Sequence, residues 1–545
     1  MKLTDFFKEK EAAASRRKIG KEEIAVASEV LRDYKNAKSA LESRIVEDEQ
    51  WWKLRHWDTF DKEKGTKTKS VSAWLFNAIL NKHADAMDSY PEANVLPRDR
   101  DDVEEANKLS GILPAIMEHN NFEQIYSDNW WYKLKHGCCV YGVFWNSEAE
   151  NRLGDIQIKK IDLLNIFWEP GINDIQKSRN LFIVDLKDKD VLESEYPSLR
   201  GKAMESSIDI KQYIYDEQVD VKDKVLVIDW YYKVRNANGK TVLHYCKFVG
   251  DNVLFASENM EEYRERGWYD HGEYPIVTDC LFPEEGTPVG SGFVAITKNP
   301  QMYIDKLNDA ILDNAIMSAK PRYFAKISAG VNEQEFLDWS KPIIHVEGDI
   351  NEERLRPINV AQLPPSAVNV LQMKIDELKE TSANTDFSRG SAAGGVTAAS
   401  AIAALQEAGN KVCRDMLKTT YRAYTLINYL CIELIRQFYT ETRSFRIGTP
   451  DGGYQFSDYS NKNLIPSKDN EISHRKPVFD IAVKTQKKSP YTRLSQNELA
   501  KELFGLGFFN PENRTQALAA LEIMDFEGKR AIEEKIRELS QNERV

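Results

Sequence analysis

The sequence predicts an α+β protein in which helices dominate and short strands gather in the middle of the chain. Apolar residues follow helical spacing over most of the first 135 residues, whereas β-branched and aromatic runs begin at residue 139. A third observation is a helical pattern that extends from near Thr397 to about Tyr439. Because one hydrophobic core stops growing well below 545 residues, at least two compact modules are expected.

The first part of the chain contains three amphipathic segments. Apolar residues at helical spacing predict a highly charged helix from Lys21 to about His56. Further helices are predicted from Ser72 to Met87 and, as one or two segments, from Val103 to Trp131. Tyr90-Pro91 ends the second helix, because the residue before a proline disfavours the helical conformation.

Strands are predicted where β-branched and aromatic residues are bounded by polar turns. These segments run from Cys139 to Trp145, Ile156 to Ile161, Asn180 to Leu186, Val225 to Val234 and Val242 to Val249. Ten of the eleven tryptophans precede residue 300, so the C-terminal third differs in composition, and a module boundary is expected near residues 295 to 300.

Helices and short strands alternate again in the C-terminal half. The predicted elements are helices from Pro300 to about Ala319 and from Ser366 to about Ser382, strands at Arg322 to Ile327, Pro342 to Val346, Phe445 to Ile447 and Val478 to Val483, and three short helices in the tail. The helix that starts near Thr397 is the longest, and its roughly 43 residues would span about 65 Å if straight. Such a helix favours an elongated or oligomeric object, and Gly409 is a position at which it can kink.

Acidity and cysteine usage limit the functions that the chain can have. A formal net charge of −12 disfavours high-affinity binding to nucleic acid, which draws on clusters of lysine and arginine. Six cysteines without CxxC spacing are typical of a reducing compartment, and we expect buried thiols. Without a signal peptide or a run of about 18 apolar residues, the chain is predicted to be cytoplasmic when made and to have no membrane partner.

Three short motifs invite a chemical interpretation, and each has a simpler structural one. The segment from Gly286 to Gly292 (GTPVGSG) lacks the lysine and spacing of a phosphate-binding loop, so we expect a turn before a helix. His136, Cys138 and Cys139 have no second Cys/His pair to complete a zinc site, which favours a strand end with buried thiols. The basic stretch from Lys484 to Arg493 is interpreted as a surface loop, with contact to DNA or an acidic partner as the alternative.

Two acidic clusters are candidates for metal or acid/base chemistry. One combines His83 with Asp85 and Asp88, and the other spans residues 101 to 105. Solvated helix faces explain both more simply. Since the sequence also lacks a nucleophile elbow and an HExxH motif, we predict no enzymatic activity, no metal and no cofactor.

The segment from Ser388 to Val396 is rich in glycine and alanine, and Arg389 is its only charged residue. Its composition alone fits a flexible linker. Its position is more informative, because a predicted helix lies on each side. A loop held between two helices presents small side chains and can move.

The order of these parts resembles the portal proteins of tailed bacteriophages, and the likeness covers most of the chain. The segment GTPVGSG precedes a helix beginning NPQMYIDKLNDAI, and an inserted small motif then ends in Pro364-Pro365. SRGSAAGGVTAASAIAALQEAGNK, followed by a helix that reaches FYTETRSFRI, resembles the tunnel loop and long helix of that family. KELFGLGFFNPENRTQALAALEIMDFEGK resembles its crown helices.

The resemblance implies a ring subunit, in a ring usually of twelve, with a helix-rich wing, a helical stem, a small α/β clip, a long kinked helix and a helical crown. Carried over to this sequence, the parts are a wing at residues 1–297 with 440–485, stem helices at 298–319 and 366–382, a clip at 320–365, a tunnel loop at 383–396, the long helix at 397–439 and a crown at 486–545.

The resemblance also implies a location and partners. The ring would occupy one capsid vertex of the virion after assembly in the host cytoplasm, and would contact itself, the terminase large subunit, a head-tail adaptor and the major capsid or scaffolding protein. Double-stranded DNA would pass through it with weak, sequence-independent contacts, because each strong phosphate contact adds to the barrier for sliding. The expected DNA-facing residues are Ser388, Arg389, Gly390 and Ser391, and the expected channel or clip contacts are Lys320 and Arg322.

Two alternatives remain open at the level of sequence. One is another virion ring or scaffold protein that uses the long helix only for assembly, and a central channel of duplex width would distinguish the two. The other is a metal-dependent nuclease that uses the acidic cluster near residues 101 to 105.

Overall fold

Helices and small antiparallel sheets make up the chain in the computed structural model, so the protein is of mixed α+β class as predicted. The structure describes residues 18–60, 69–204, 208, 210, 213, 224–236, 239–319, 322–325, 330, 332–338, 340, 343, 345, 355–358, 363–384, 411–448, 454–465, 476–485, 497, 498, 500–503, 505, 516, 518 and 521. The chain divides into two compact units. Unit 1 comprises Met1–Val46, Ile79–Phe293 and Asn410–Val545, and unit 2 comprises Glu47–Ala78 and Val294–Gly409.

The helices longer than a single turn, in chain order, are α1 (Lys21–Trp52), α2 (His56–Phe60), α3 (Trp74–Met87), α4 (Val103–His119), α5 (Phe122–His136), α6 (Lys189–Glu195), α7 (Phe293–Ala319), α8 (Glu333–Leu337), α9 (Pro365–Thr381) and α10 (Lys411–Phe438). The strands are β1 (Pro91–Pro97), β2 (Cys138–Asn146), β3 (Asp155–Ile161), β4 (Ile166–Trp168), β5 (Asn180–Asp188), β6 (Lys224–Arg235), β7 (Thr241–Val249), β8 (Asn252–Ala256), β9 (Ile276–Cys280), β10 (Arg322–Ala325), β11 (Leu355–Ile358), β12 (Arg443–Gly448), β13 (Tyr454–Tyr459) and β14 (Phe479–Thr485).

The largest sheet of unit 1 has five antiparallel strands in the order β4-β5-β6-β7-β8. The N-terminal half of α1 covers one face, where Ile24, Val30 and Leu31 pack among buried aromatic residues of the strands. Leu192 of α6 packs against Val227 and its neighbours in a second cluster. Both clusters exclude water from strand residues, which is the main stabilising contribution of such burial.

A second sheet of unit 1 has three strands in the order β3-β2-β9 and is covered by α5 and α10. Two short ribbons, β1-β14 and β12-β13, also belong to unit 1. In the β1-β14 ribbon, Pro91 pairs with Thr485 and Pro97 with Phe479, which brings together segments almost 390 residues apart in the chain.

Unit 2 contains α2, α8, α9, most of α7 and the β10-β11 hairpin. The buried side chains of His56 and Asp305 lie 2.6 Å apart (Nδ1 to Oδ2) and join α2 to α7. Gln301, also buried on α7, accepts a hydrogen bond from the Leu75 amide and donates one to the Ser72 carbonyl. Polar contacts therefore fix the start of α3 to α7 within this unit.

Several predicted boundaries were wrong. The helix expected from Pro300 begins at Phe293 and contains Pro300 as its eighth residue, where the helix lacks one backbone donor. No strand was predicted at β1, β4, β8, β9, β11 or β13, and of the strand predicted at residues 342–346, the two described residues, Ile343 and His345, lie in no strand. The predicted kink at Gly409 and most of the predicted tail helices lie outside the described residues.

Candidate functional site

The structure locates few of the residues predicted to meet DNA. Ser388, Arg389, Gly390, Ser391 and Lys320 lie outside the described residues. Arg322 is the first residue of β10, is exposed and pairs with Ile358 of β11. The loop and its contacts therefore stay predictions, as do the boundaries of the wing, stem, clip and crown.

The two helices predicted to flank the loop are both present. After α9, the Ser382 amide donates to the Leu378 carbonyl and the Asn384 amide to the Lys379 carbonyl, and Ala383 has a φ of 50°. A left-handed residue just after a helix is the usual way to end it, although glycine or asparagine normally occupies that position. On the other side, α10 is described from Lys411.

The helix α10 has one buried and one exposed face. Its buried positions include Met416, Thr420, Ala423, Ile427 and Leu430, which recur at helical spacing. Between residues 414 and 422, whose side chains the structure describes, the exposed positions are Arg414, Asp415, Lys418 and Arg422, and three of these four are basic. The interior face thus fixes the helix to unit 1, and a basic face points to solvent.

A charged network holds the inner face of α10. Lys133 of α5 is fully buried, and its Nζ lies 2.7 Å from Asp279 Oδ1, 2.8 Å from Thr419 Oγ1 and 2.8 Å from Thr420 Oγ1. The Met416 carbonyl is a more distant acceptor at 3.3 Å. The three N–H groups of the lysine are thereby all used, and α5, β9 and α10 are joined at one point.

The hydroxyl protons of this network are used as well. Thr420 donates to Asp279 Oδ2 at 2.6 Å, and Thr419 donates to the Met416 carbonyl at 2.8 Å. The Lys133 Nζ also lies 4.7 Å from the centre of the Trp130 ring. Satisfied hydrogen bonds are the condition under which a buried ion pair is tolerated, since each unpaired charge costs several kcal/mol.

Sequence reasoning missed the Lys133 network because nothing in YKLKH distinguishes a buried lysine from an exposed one. It did anticipate the neighbouring thiols, which are buried at Cys138 and Cys139. Burial raises the pKa of both thiols well above the ordinary value, so both are neutral at physiological pH. His136, the third member of the proposed zinc set, is buried near the Tyr132 ring.

The GTPVGSG segment contains a turn before α7, as predicted, and its glycines allow close packing of the backbone. A Cβ on Gly290 would lie 1.8 Å from the Phe282 carbonyl oxygen, and one on Gly292 would lie 2.3 Å from the Lys135 carbonyl oxygen. Arg44 donates to the Gly290 carbonyl at 2.8 Å. The glycines permit close approach of backbone segments just before α7, because a side chain at Gly290 or Gly292 would collide with a backbone carbonyl.

The acidic clusters are only partly solvated, which corrects the prediction of exposed helix faces. Asp102 and Glu105 are buried, and Glu105 accepts hydrogen bonds from Tyr459 and Asn463. His83 is also buried, with its ring stacked on Trp131 at 3.6 Å between centroids. These groups contact other residues of unit 1 and so stabilise the packing of its elements.

One group of side chains with metal-binding chemistry occurs among the described residues. His119, Glu150 and Asp155 each offer a ligand atom, and these atoms lie within 4.8 Å of one another. The side chains of His119 and Glu150 are 60% and 50% exposed, at the edge of a cleft of about 540 Å³ that Arg443 and Arg446 also line. Exposed groups of this kind also form ordinary ion pairs.

Unit 2 presents apolar side chains to solvent on two helices. On α7 they are Leu312, Ile316 and Met317, which are about half exposed, and on α9 they are Val368, Val370 and Met373, of which Met373 is 68% exposed. A folded subunit rarely leaves such side chains together in water unless another surface covers them. Among the described helices, none is both long enough and apolar enough to cross a bilayer.

These features define a structural subunit: a mixed helical and sheet scaffold with apolar helix surfaces that a larger assembly can cover. The chain belongs to the phage P22-like portal protein family, whose model matches residues 76–544. No curated protein matched the chain. Membership makes it a tailed-phage portal protein, a structural virion component of the capsid vertex that forms a homo-oligomeric ring and interacts with capsid and terminase.

Proposed function

We propose that this portal subunit forms the channel through which double-stranded DNA enters the capsid during packaging and leaves it during ejection. The observation that carries the proposal is the family match over residues 76–544. In this proposal the ring contains twelve subunits and docks the terminase large subunit first and a head-tail adaptor later. Residues 298–319 and 366–382 act as stem helices, and residues 320–365 act as the clip.

Exposed apolar residues of α7 support a ring contact at this helix. Leu312 and Ile316 are 49% and 46% exposed and lie one helical turn apart on the same side. Because each side chain is already about half buried, its complete burial against a neighbouring subunit would contribute about half of the full value, or about 0.7–1.5 kcal/mol. Closure of a ring repeats that contribution at every interface.

The double variant Leu312→Glu/Ile316→Glu is expected to abolish ring formation, because two carboxylates per interface would have to lose water. Sedimentation velocity of the purified protein measures the assembly state. The control is Ala310→Glu/Ser318→Glu, which adds two charges at exposed positions on the opposite side of α7 and should leave rings intact. Rings of normal size from the first variant would remove α7 from the proposed interface.

The segment from Ser388 to Val396 is proposed to be the tunnel loop. Arg389 and the hydroxyls of Ser388 and Ser391 would make a ring of weak, mobile contacts with the DNA backbone, while acidic surfaces elsewhere repel it. Support comes from the helix ends at Thr381 and Lys411, between which the segment lies in sequence.

Replacement of residues 388–396 by a shorter glycine linker is expected to reduce the packaged DNA length and its retention, with ring assembly unchanged. Complementation of a portal-deficient phage measures both, by the size of DNA recovered from purified particles. Arg389→Gln alone should give a smaller loss of the same kind. Particles with normal DNA content from the linker variant would show that the loop has no role in the channel.

The alternative of a metal-dependent nuclease has less support, because Asp102 and Glu105 of its acidic cluster are buried, Glu105 bonds protein groups, and exposed Glu104 pairs with Lys108. Incubation of plasmid DNA with the purified protein and Mg²⁺ or Mn²⁺ is expected to leave the plasmid intact. Images of the purified protein distinguish a portal from a ring or scaffold without a channel, since a portal ring has a central hole of duplex width.

A further inference from the structure

The exposed face of α10 carries a row of basic side chains between residues 414 and 422. Arg414, Lys418 and Arg422 are exposed and occupy positions i, i+4 and i+8, each about 6 Å further along the helix axis. Successive positions of this kind lie on one side of a helix. We refer to these three residues as the basic row.

The basic row is unfavourable for the isolated helix. Like charges four residues apart repel each other by about 0.2–0.5 kcal/mol per pair. Two other basic residues on these helices have an acidic partner: Lys374 of α9 pairs with Glu377 at 2.6 Å, and Arg436 near the end of α10 pairs with Glu433 at 3.3 Å. Among the described residues, neither Lys418 nor Arg422 has a carboxylate partner. With the exposed Asp415 included, residues 414–422 still present a net positive charge, in a chain whose formal net charge is −12.

We propose that the basic row is a second, sequence-independent contact for the DNA backbone, and this inference rests on the proposed channel function. A regular row of lysine and arginine along one helix is the arrangement that neutralises successive phosphates. In the chain, α10 follows directly after the proposed tunnel loop and the remainder of the predicted long helix. The contact involves charge alone, so it permits movement of the duplex.

Nucleic acid fits this surface better than a protein partner does. A protein interface of useful affinity normally has an apolar core surrounded by a polar rim. The large apolar side chains exposed on α10 are Leu426 and Tyr429, which follow the basic row rather than surround it. The row itself offers only charged groups, which suit phosphates.

The opposite face of α10 keeps the basic row in place. Met416, Thr419 and Thr420 are the residues through which the Lys133 network contacts the helix. Rotation of α10 about its axis would break the hydrogen bonds of a buried lysine and a buried carboxylate. Lys418 and Arg422 are thus presented outward in a fixed orientation, so the ordering cost of binding falls on their side chains alone.

The test compares two triple variants that change the net charge equally. Arg414→Gln/Lys418→Gln/Arg422→Gln removes the row, and Lys177→Gln/Lys189→Gln/Lys202→Gln removes three exposed lysines of unit 1. Each lowers the formal net charge by three, from −12 to −15. The assembly state is measured by light scattering, and binding of a short fluorescent duplex to assembled rings is measured by anisotropy over a series of salt concentrations.

Rings of the row variant are expected to bind the duplex at least ten-fold more weakly than rings of the control, with a smaller dependence on salt because fewer counterions are released. Equal binding by the two variants, or no binding by wild-type rings at low salt, would overturn the proposal. Failure of the row variant alone to form rings would also overturn it, since the row would then contact a second copy of the chain. Failure of wild-type protein to form rings would instead count against the proposed function.

Discussion

Replacement of Lys133 by alanine is expected to lower the free energy of unfolding by about 3–5 kcal/mol, because it leaves a buried carboxylate without its counter-charge. Asp279 lies in the interior with one oxygen on Lys133 and the other on Thr420, and a water that entered the space left by the lysine would not supply its positive charge. The same change removes the donor that joins α5 to α10. Urea denaturation at matched protein concentration measures the loss, since ring assembly also contributes to stability.

The charge-free variant Lys133→Met/Asp279→Leu/Thr420→Val is the matched comparison, in which Thr420 is also replaced because its buried hydroxyl would lose both partners. It removes both charges and keeps most of the volume, and buried pairs replaced in this way often leave stability unchanged or higher. It should therefore denature near the wild-type urea concentration while Lys133→Ala does not. If the single variant were as stable as wild type, the network would contribute nothing to the fold. If both variants were equally unstable, lost packing rather than an unpaired charge would be the cause.

The strands that the sequence predicted correctly share one property, which is that their side-chain pattern is local. In β6, the run from Val225 to Val234 is mostly buried and rich in β-branched and aromatic residues, so a short window identifies it. β1 reads PEANVLP, with a proline at each end, and its partner β14 lies near the other end of the chain. No local pattern predicts such a pairing.

The residues proposed to contact DNA also differ in how far the sequence alone could identify them. Glycine and alanine content drew attention to residues 388–396, and the spacing of Arg414, Lys418 and Arg422 was equally readable once a helix was assumed there. The sequence could not show which face of that helix is buried. That depends on Lys133 and Asp279, which are distant in the chain and reach α10 only through the fold. A buried ion pair has no local signature, because its residue types are those of the surface.

The close backbone packing before α7 gives the other large expected effect. Gly290→Ala is expected to cost about 4 kcal/mol or more, because the added Cβ would lie 1.8 Å from the Phe282 carbonyl oxygen and 2.6 Å from Cys280 Sγ. The closest atom belongs to the backbone, as does the Phe282 carbonyl carbon at 2.6 Å, so the backbone from Phe282 to Ser291 would have to separate and lose the Ser291 amide to Phe282 carbonyl hydrogen bond. The yield of folded protein and the urea midpoint measure this cost.

Gly286→Ala in the same loop separates backbone strain from lack of space. Gly286 has a φ of 79°, so alanine there is strained by about 1–2 kcal/mol, but nothing lies within 4 Å of its added Cβ. We therefore expect folded protein with a modestly lower urea midpoint from Gly286→Ala and little or no folded protein from Gly290→Ala. Equal stability of the two variants would mean that the loop relaxes away from Phe282. In that case the glycines of GTPVGSG would serve turn geometry alone and would not set the distance between the two backbone segments.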